Sequence, residues 1–368
     1  MIESASGDIF KAEVDALVNP VNCEGETGRG LALQFKMKYP ANFNAYYEAC
    51  RHNQLQLGQM FTFETRSRSK PHYIFNFPIK NHWRETVSLT NIQNGLIDLA
   101  NKILERQIET IALPPIGCGP GGLDWKDVRP LIEKHLDRDK LQIIIYGFAA
   151  PPIHKAPSRP VEAPVMTVGR AALVHLMSRY TNSINDNHVT LPELHMLLYL
   201  LQEQGETLRL EFNKGSSSPY ARNLRPVLNA IDGYYLSGYI GGPDRPTKEI
   251  LLIPAIEKVA SDYLANHNST LARIQKILDL VEGFPPHSGL ELLSTTHWIV
   301  TKEQSLTLED LIRRTYSWNR QKRSFSSEQI GSAAARLIEL GWIEPLTPAG
   351  AYQGDYSATP PWAQDPVE

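Results

Sequence analysis

Long apolar runs, cysteines and an excess of charge of either sign are all scarce in this chain of 368 residues. No apolar run approaches the ~20 residues that cross a bilayer, so no membrane span is expected. The first residues, Met1-Ile2-Glu3-Ser4-Ala5-Ser6-Gly7-Asp8, lack the basic and apolar regions of a signal peptide. Three cysteines, Cys23, Cys50 and Cys118, cannot form a complete disulfide set and match no zinc spacing. Lys plus Arg number 37 against 40 for Asp plus Glu, a net charge of −3. That balance excludes a chain that is basic throughout, and only local patches remain for nucleic acid. No internal repeat is evident. These absences point to a cytoplasmic, reduced and metal-free protein.

What is present is a globular composition, 42% apolar and 21% charged, over a length that suits two domains. The clearest punctuation is Ala150 to Pro164, with prolines at 151, 152, 157, 160 and 164. Proline there blocks both helix and sheet ladder, so residues 151–164 read as an extended linker. Residues 1–164 hold 19 basic and 18 acidic side chains, and residues 165–368 hold 18 and 22. The second half is therefore the acidic one.

The first half alternates strand and helix signals. Ala16-Leu17-Val18, Thr110 to Pro114 and Leu141 to Gly147 are short apolar runs of the kind buried strands show. Leu89, Ile92, Leu96, Leu99 and Ile103 form one helix stripe. Asp124 can cap a second helix whose inward face is Val128, Leu131, Ile132 and either His135 or Leu136. The expected fold is α/β, a sheet with helices on its faces. The second half is mostly helical. Capping boxes at Thr190–Glu193 and Ser326–Gln329 are followed by stops at Gly205 and Gly341, and Leu271, Ile274, Leu278 and Val281 make a further stripe. Gly341-Trp342-Ile343-Glu344 after short helices suggests a winged-helix end, and Pro360 to Glu368 a frayed tail.

Three loops leave strands of the first half with Gly, Asn or Asp at their tips. They are Ser6-Gly7-Asp8-Ile9, then Val18-Asn19-Pro20-Val21-Asn22-Cys23 running into Gly28-Arg29-Gly30-Leu31-Ala32-Leu33, then Pro115 to Trp125. Glycines 117, 119, 121 and 122 let a ligand approach the main chain, whose N–H groups suit a diphosphate. Any one loop alone is an ordinary turn. Lys80 follows Phe75-Asn76-Phe77-Pro78-Ile79, an alternating strand expected to end at Pro78. Most lysines in such places are solvated surface.

In this order, Gly-Asp-Ile, Val14 to Asn22, Gly-x-Gly-Leu-Ala-Leu and Pro-x-Ile-Gly-Cys-Gly resemble the ADP-ribose pocket of the macrodomain family over about residues 1–150. Gly28 to Lys36 and Tyr39-Pro40 point to the branch that removes ADP-ribose. A following helical region is similar to macrodomain antitoxins that reverse DNA ADP-ribosylation by a partner toxin of the DarT type. The resemblance implies a mixed central sheet with helices on both faces, followed by a helical α(+β) toxin-binding domain over 165–368. It implies no cofactor. Asp8 would accept from the adenine amino group beside the Ile9 N–H, and Asn22 would orient the distal ribose. Leu31 would close over the diphosphate, and Gly117, Cys118, Gly119, Pro120 and Gly121 would wrap phosphates and ribose. Pro20, Val21 and Ile79 complete the implied contacts.

Lys80 matches a catalytic lysine of that branch. An amine can attack the anomeric carbon of a ring-opened ribose, but only when neutral, so burial or a neighbouring cation such as Arg84 or His82 must lower its pKa. Some relatives pair this lysine with an aspartate where this chain has Gly121, so the acidic partner is missing. Cys118 has no histidine in a recognisable pairing motif, and Asp124 reads as a helix cap. Arg66, Arg68, Lys70, His72, His82, Trp83 and Arg84 are expected at the pocket mouth, where charge and stacking would hold a single strand. Two other readings compete: a non-catalytic ADP-ribose reader, and an O-acetyl-ADP-ribose deacetylase. For the second half, toxin binding competes with winged-helix DNA binding through Arg320, Lys322 and Arg323.

Overall fold

The computed structural model describes residues 2–27, 30–82, 85–118, 122–147, 164–184, 186–240 and 244–347. Its largest sheet has six strands, β1 (Ile2–Ala5), β2 (Ala16–Asn22), β3 (Phe61–Glu64), β4 (Tyr73–Lys80), β5 (Thr110–Leu113) and β6 (Gln142–Tyr146), in the order β1-β6-β5-β2-β4-β3. All neighbours run parallel except β3, which is antiparallel to β4 at the edge. The sheet is mixed, as expected.

Alternation along these strands divides the core into two faces. Ala16, Val18, Phe75, Phe77, Ile111, Leu113, Ile143 and Ile145 meet α3 (Leu89–Glu105) and α4 (Trp125–Leu136). The intervening Leu17, Ile74 and Ala112 meet Phe35 of α1 (Gly30–Lys38) on the other face, while Val21 meets Tyr46 and Cys50 of α2 (Pro40–Arg51). The α3 stripe is buried from Ile92 to Ile103, whereas Leu89 at its first turn is exposed. In α4 the inward residue is Leu136, not His135. Gly95 permits the close seating of α3, because a Cβ there would lie 2.4 Å from Phe77 Cζ.

Strand β4 continues two residues past Pro78, correcting the expected end. Proline is tolerated because β3 pairs only Tyr73 to Asn76, so beyond it one side of β4 has no ladder to break. On the other side β2 stays paired to the end, with a bulge between Val21 and Asn22 that sets Asn22 opposite Lys80.

Beneath that end lies a buried amide cluster. Asn19 Nδ2 donates to Asn76 Oδ1 at 2.9 Å, Asn42 Nδ2 donates to the same oxygen at 3.2 Å, and Asn76 Nδ2 donates to Asn42 Oδ1 at 2.7 Å. The three tie β2, β4 and α2 together with no exposure above 2%.

Beyond residue 164 the chain forms α5 (Val168–Ser183), β7 (His188–Thr190), α6 (Leu191–Glu203), β8 (Phe212–Lys214), β9 (Pro219–Ala221), α7 (Leu224–Ile231), β10 (Leu236–Ser237) and β11 (Glu249–Leu252). Helices α8 (Ile256–Leu264), α9 (Asn268–Val281), α10 (Ser288–Thr301), α11 (Leu308–Trp318) and α12 (Ser327–Glu339) follow. Strands β10, β11 and β7 make a small antiparallel sheet. Both capping boxes form, at Thr190 and Ser326, and Gly205 and Gly341 take positive φ after their helices. The buried side of α9 is centred on Thr270, Ile274, Ile277 and Val281, one step round from the expected stripe.

The chain divides into two compact units, residues 1–212 with 220–290, and residues 213–219 with 291–368. The proline-rich segment and the tail lie outside the described residues, Pro164 excepted. In the second unit Lys322 is fully buried, with Nζ 2.7 Å from Glu291 Oε1 and 2.6 Å from Thr295 Oγ1. It therefore holds the unit together and presents no charge to DNA, against the expected role. Residues 341–347 continue as a turn, with one bridge between Thr307 and Thr347. Among the described residues no helix is long and apolar enough to cross a membrane.

Replacing Asn76 with Leu, a larger side chain of similar branching, leaves the Asn19 and Asn42 amides buried against an apolar group. The expected cost is about 2–5 kcal/mol. Urea unfolding should show a lower midpoint with an unchanged slope; an unchanged midpoint would show that the cluster is dispensable.

Candidate functional site

Strands β5, β2 and β4 are neighbours that all point the same way, so the loops leaving their carboxyl ends converge. In open α/β sheets the ligand crevice forms at such ends. Here they deliver Asn22 from β2, Lys80 from β4, and Pro114 to Asp124 after β5.

Asn22 is 7% exposed and organises the loop that follows it. Its Oδ1 accepts the N–H groups of Glu24 at 3.0 Å and Glu26 at 3.1 Å, while Nδ2 donates to the Glu26 carbonyl at 2.8 Å. Tyr46, a residue with no motif to mark it, donates its hydroxyl to the Asn22 carbonyl at 2.6 Å. Pro20 and Val21 precede it in β2, with Val21 in the core. Leu31 packs from α1 against the Phe35 cluster, and Ile79 against the Phe77 cluster.

Asp8 begins a 3-10 turn, Ile9–Lys11, and its Oδ1 accepts the Phe10 N–H at 2.9 Å. The carboxylate is exposed and Ile9 is buried beneath it. Gly117 takes φ +76°, and a side chain there would press on Leu123 and Val87. Gly119, Pro120 and Gly121 lie outside the described residues. Asp124 caps α4, accepting the Lys126 N–H at 3.0 Å and pairing with Lys126 Nζ at 2.9 Å.

Lys80 sits partly buried at the last position of β4, and its carbonyl accepts the Cys23 N–H at 3.1 Å. Burial lowers its pKa from the ordinary lysine value, while the carboxylates of Asp186 and Glu85 act to raise it. Among the described residues the lowering comes from desolvation and no neighbouring cation contributes to it. Arg84 and Trp83 lie outside the described residues, and His82 pairs with Glu24 at 3.7 Å. Asp186 belongs to the second half of the chain, and nothing in the sequence brings it to Lys80.

The basic segment from Arg66 to His72 is not at the pocket mouth. It enters the start of β4, where Lys70 pairs with Asp15 at 2.8 Å and the His72 N–H bonds the Asp15 carbonyl. Seven strand steps, roughly 23 Å, separate it from Lys80. Its sequence proximity to Lys80 is undone because the strand between them is fully extended.

The thiols are poor nucleophiles. Burial, with Asp124 and Asp127 nearby, pushes Cys118 up to about 11, and burial with Glu85 and Glu24 does the same for Cys23. Among the described residues no group of three or more His, Cys, Asp or Glu gathers as a metal site would. Among the described residues the arrangement thus offers an amine of lowered pKa, Lys80, at the end of β4 opposite Asn22.

A family model described as Macro domain matches residues 18–132. A DNA ADP-ribosyl glycohydrolase of Thermus aquaticus is 35% identical over 346 residues, covering 94% of this chain and 95% of the relative. A DNA ADP-ribosyl transferase–DNA ADP-ribosyl glycohydrolase fusion protein of Thermosipho africanus is 27% identical, covering 38% of this chain and 40% of its own. The solved macrodomain of Thermus aquaticus DarG is 41% identical, covers 40% of this chain and 97% of its own, and gives a TM-score of 0.39.

Because the Cys118 thiol stays protonated at neutral pH, Cys118→Ala should retain both hydrolysis of an ADP-ribosylated substrate and ADP-ribose affinity. A loss of rate comparable to that of a missing nucleophile would return the chemistry to sulfur.

Proposed function

The chain belongs to the macrodomain DNA ADP-ribosyl glycohydrolases, and from that premise we propose that Lys80 is the residue that performs its hydrolysis. The protein is a hydrolase and an antitoxin that reverses the ADP-ribosylation of DNA. Its substrate is mono-ADP-ribose on a nucleobase, presented on single-stranded or locally extruded DNA because a stacked base is inaccessible.

In the proposed reaction Asp8 and Ile9 hold adenine, Leu31 and the Gly117–Gly121 loop hold the diphosphate, and Asn22 orients the distal ribose, with Pro20, Val21 and Ile79 lining the pocket. The neutral Lys80 amine attacks the anomeric carbon. The bond from that carbon to the base nitrogen breaks and the base nitrogen takes up one proton from Nζ; the bond from the carbon to the ring oxygen then opens, that oxygen takes up the second Nζ proton, and an imine joins the carbon to Nζ. Water then adds across the imine, releasing ADP-ribose and restoring the amine. The observation that carries this reading is the burial of Lys80 opposite Asn22, which depresses the amine's pKa at the mouth of the loops. A reader that only bound ADP-ribose would have no need of it.

We assign the chemistry to residues 1–150 and capture of a DarT-type toxin to residues 165–368. Support for the partner is the Thermosipho africanus relative, whose name joins a DNA ADP-ribosyl transferase to a glycohydrolase in one chain. The net acidity of the second half suits competition with DNA for a basic groove, so the complex should weaken with salt.

Lys80→Ala should lower hydrolysis of an ADP-ribosylated single-stranded oligonucleotide on the order of 10³-fold or more, with ADP-ribose affinity nearly unchanged. The parent rate should rise with pH as the amine loses its proton, with a midpoint below the ordinary lysine value. Turnover by the variant at the parent rate would refute the lysine mechanism. Gly119→Glu should abolish binding and hydrolysis together, since it sets a carboxylate against the diphosphate. Unchanged affinity by calorimetry would mean that the pocket lies elsewhere.

A further inference from the structure

The loop that leaves β2 is held from two directions. Within the first half, Asn22 Oδ1 accepts the Glu24 and Glu26 N–H groups, and Nδ2 donates to the Glu26 carbonyl at 2.8 Å. Between Glu24 and Glu26, Gly25 takes φ +85°, and a Cβ there would lie 2.6 Å from Tyr47 Cδ2, so the loop's main chain rests on α2. From beyond residue 164, in the same compact unit, Ser288 donates its hydroxyl to Glu26 Oε2 at 2.6 Å. Ser288 opens α10 and follows a turn with little freedom of its own. Its N–H bonds the Pro286 carbonyl at 2.8 Å, the Gly289 N–H bonds the Pro285 carbonyl at 2.9 Å, and His287 takes φ +61°. The positive end of a helix also favours a carboxylate.

We propose that Glu26 is a positioning residue for Asn22, and that Ser288 of the second half keeps it in place. The inference rests on Asn22 orienting the distal ribose. Glu26 is joined to the Asn22 amide by two hydrogen bonds of its main chain and to Ser288 by its side chain. One residue therefore carries a restraint from the second half to the ribose contact. Among the described residues, the loop engages Asn22 Oδ1 and one Nδ2 hydrogen, which leaves the second Nδ2 hydrogen to meet a ribose hydroxyl. The direction of that donor follows the Glu26 main chain, because both must turn together. A hydroxyl on a carboxylate is a charge-assisted bond, shorter and stronger than a neutral one, and suits an anchor of this kind. Adenine and diphosphate are held by other loops, so their binding does not depend on Ser288.

The test is steady-state kinetics of full-length Ser288→Ala, Ser288→Thr, Asn22→Ala and the Ser288→Ala/Asn22→Ala double variant on an ADP-ribosylated single-stranded oligonucleotide, with ADP-ribose affinity measured by calorimetry. Ser288→Ala should lower kcat about tenfold, the scale of a misplaced reacting group. KM and ADP-ribose affinity should stay within about twofold of the parent, the pattern of an interaction that matters to the reacting geometry alone. Ser288→Thr restores the hydroxyl and should recover most of the rate. Asn22→Ala should be slower than the parent, and adding Ser288→Ala to it should cost nothing more, because both act through one amide. Two results overturn the proposal: parent kcat in Ser288→Ala, or a further tenfold loss in the double variant, which a structural role independent of Asn22 would produce. Parent kcat in Asn22→Ala would instead refute the ribose assignment itself, so the two failures are separable.

Discussion

The pairing of β2 with β4 is the constraint from which the site follows. Two parallel strands run in register from Ala16 opposite Tyr73 to a bulge at Asn22, which then faces Lys80. Both strands are almost wholly buried, so neither register nor direction has freedom to slip. The Asn19–Asn76–Asn42 cluster fastens the pair to α2 just below this end. A lysine that would be solvated at the end of an exposed strand is here set against a packed wall, and the resulting desolvation favours the neutral amine.

The same wall sorts the other candidate nucleophiles. Burial acts on thiol and amine with opposite chemical consequences, because it disfavours whichever form is charged. It keeps Cys23 and Cys118 as inert thiols and moves Lys80 towards its reactive form. One environment thus favours the neutral form of all three groups, which for the amine alone is the nucleophilic one.

Much of this was legible in the residues. Buried parallel strands read as short apolar runs, the α3 stripe and both capping boxes have strong local signatures, and the loop that leaves β2 announces itself by asparagine. What was not legible depends on the third dimension. Strands β1 and β3 lie at the sheet's edges with mixed exposure, so no apolar run marks them. Lys322 looks like part of a basic run, yet Glu291 and Thr295 pair with it from a distant helix. Arg66 to His72 is only eight residues from Lys80 in sequence and is carried to the opposite end of the sheet by β4. Asp186 shows the reverse, remote in sequence and electrostatically coupled to Lys80.

The central claim is that a bond forms between Lys80 Nζ and the anomeric carbon during turnover, and chemical trapping tests it most directly. Parent protein turning over an ADP-ribosylated single-stranded oligonucleotide in the presence of borohydride should accumulate a reduced, stable adduct. Peptide mass spectrometry should then find ADP-ribose on the peptide containing Lys80, through a secondary amine at that side chain. Complete turnover under the same conditions with the Lys80 peptide unmodified would contradict the account, because water would then be attacking the anomeric carbon without the amine.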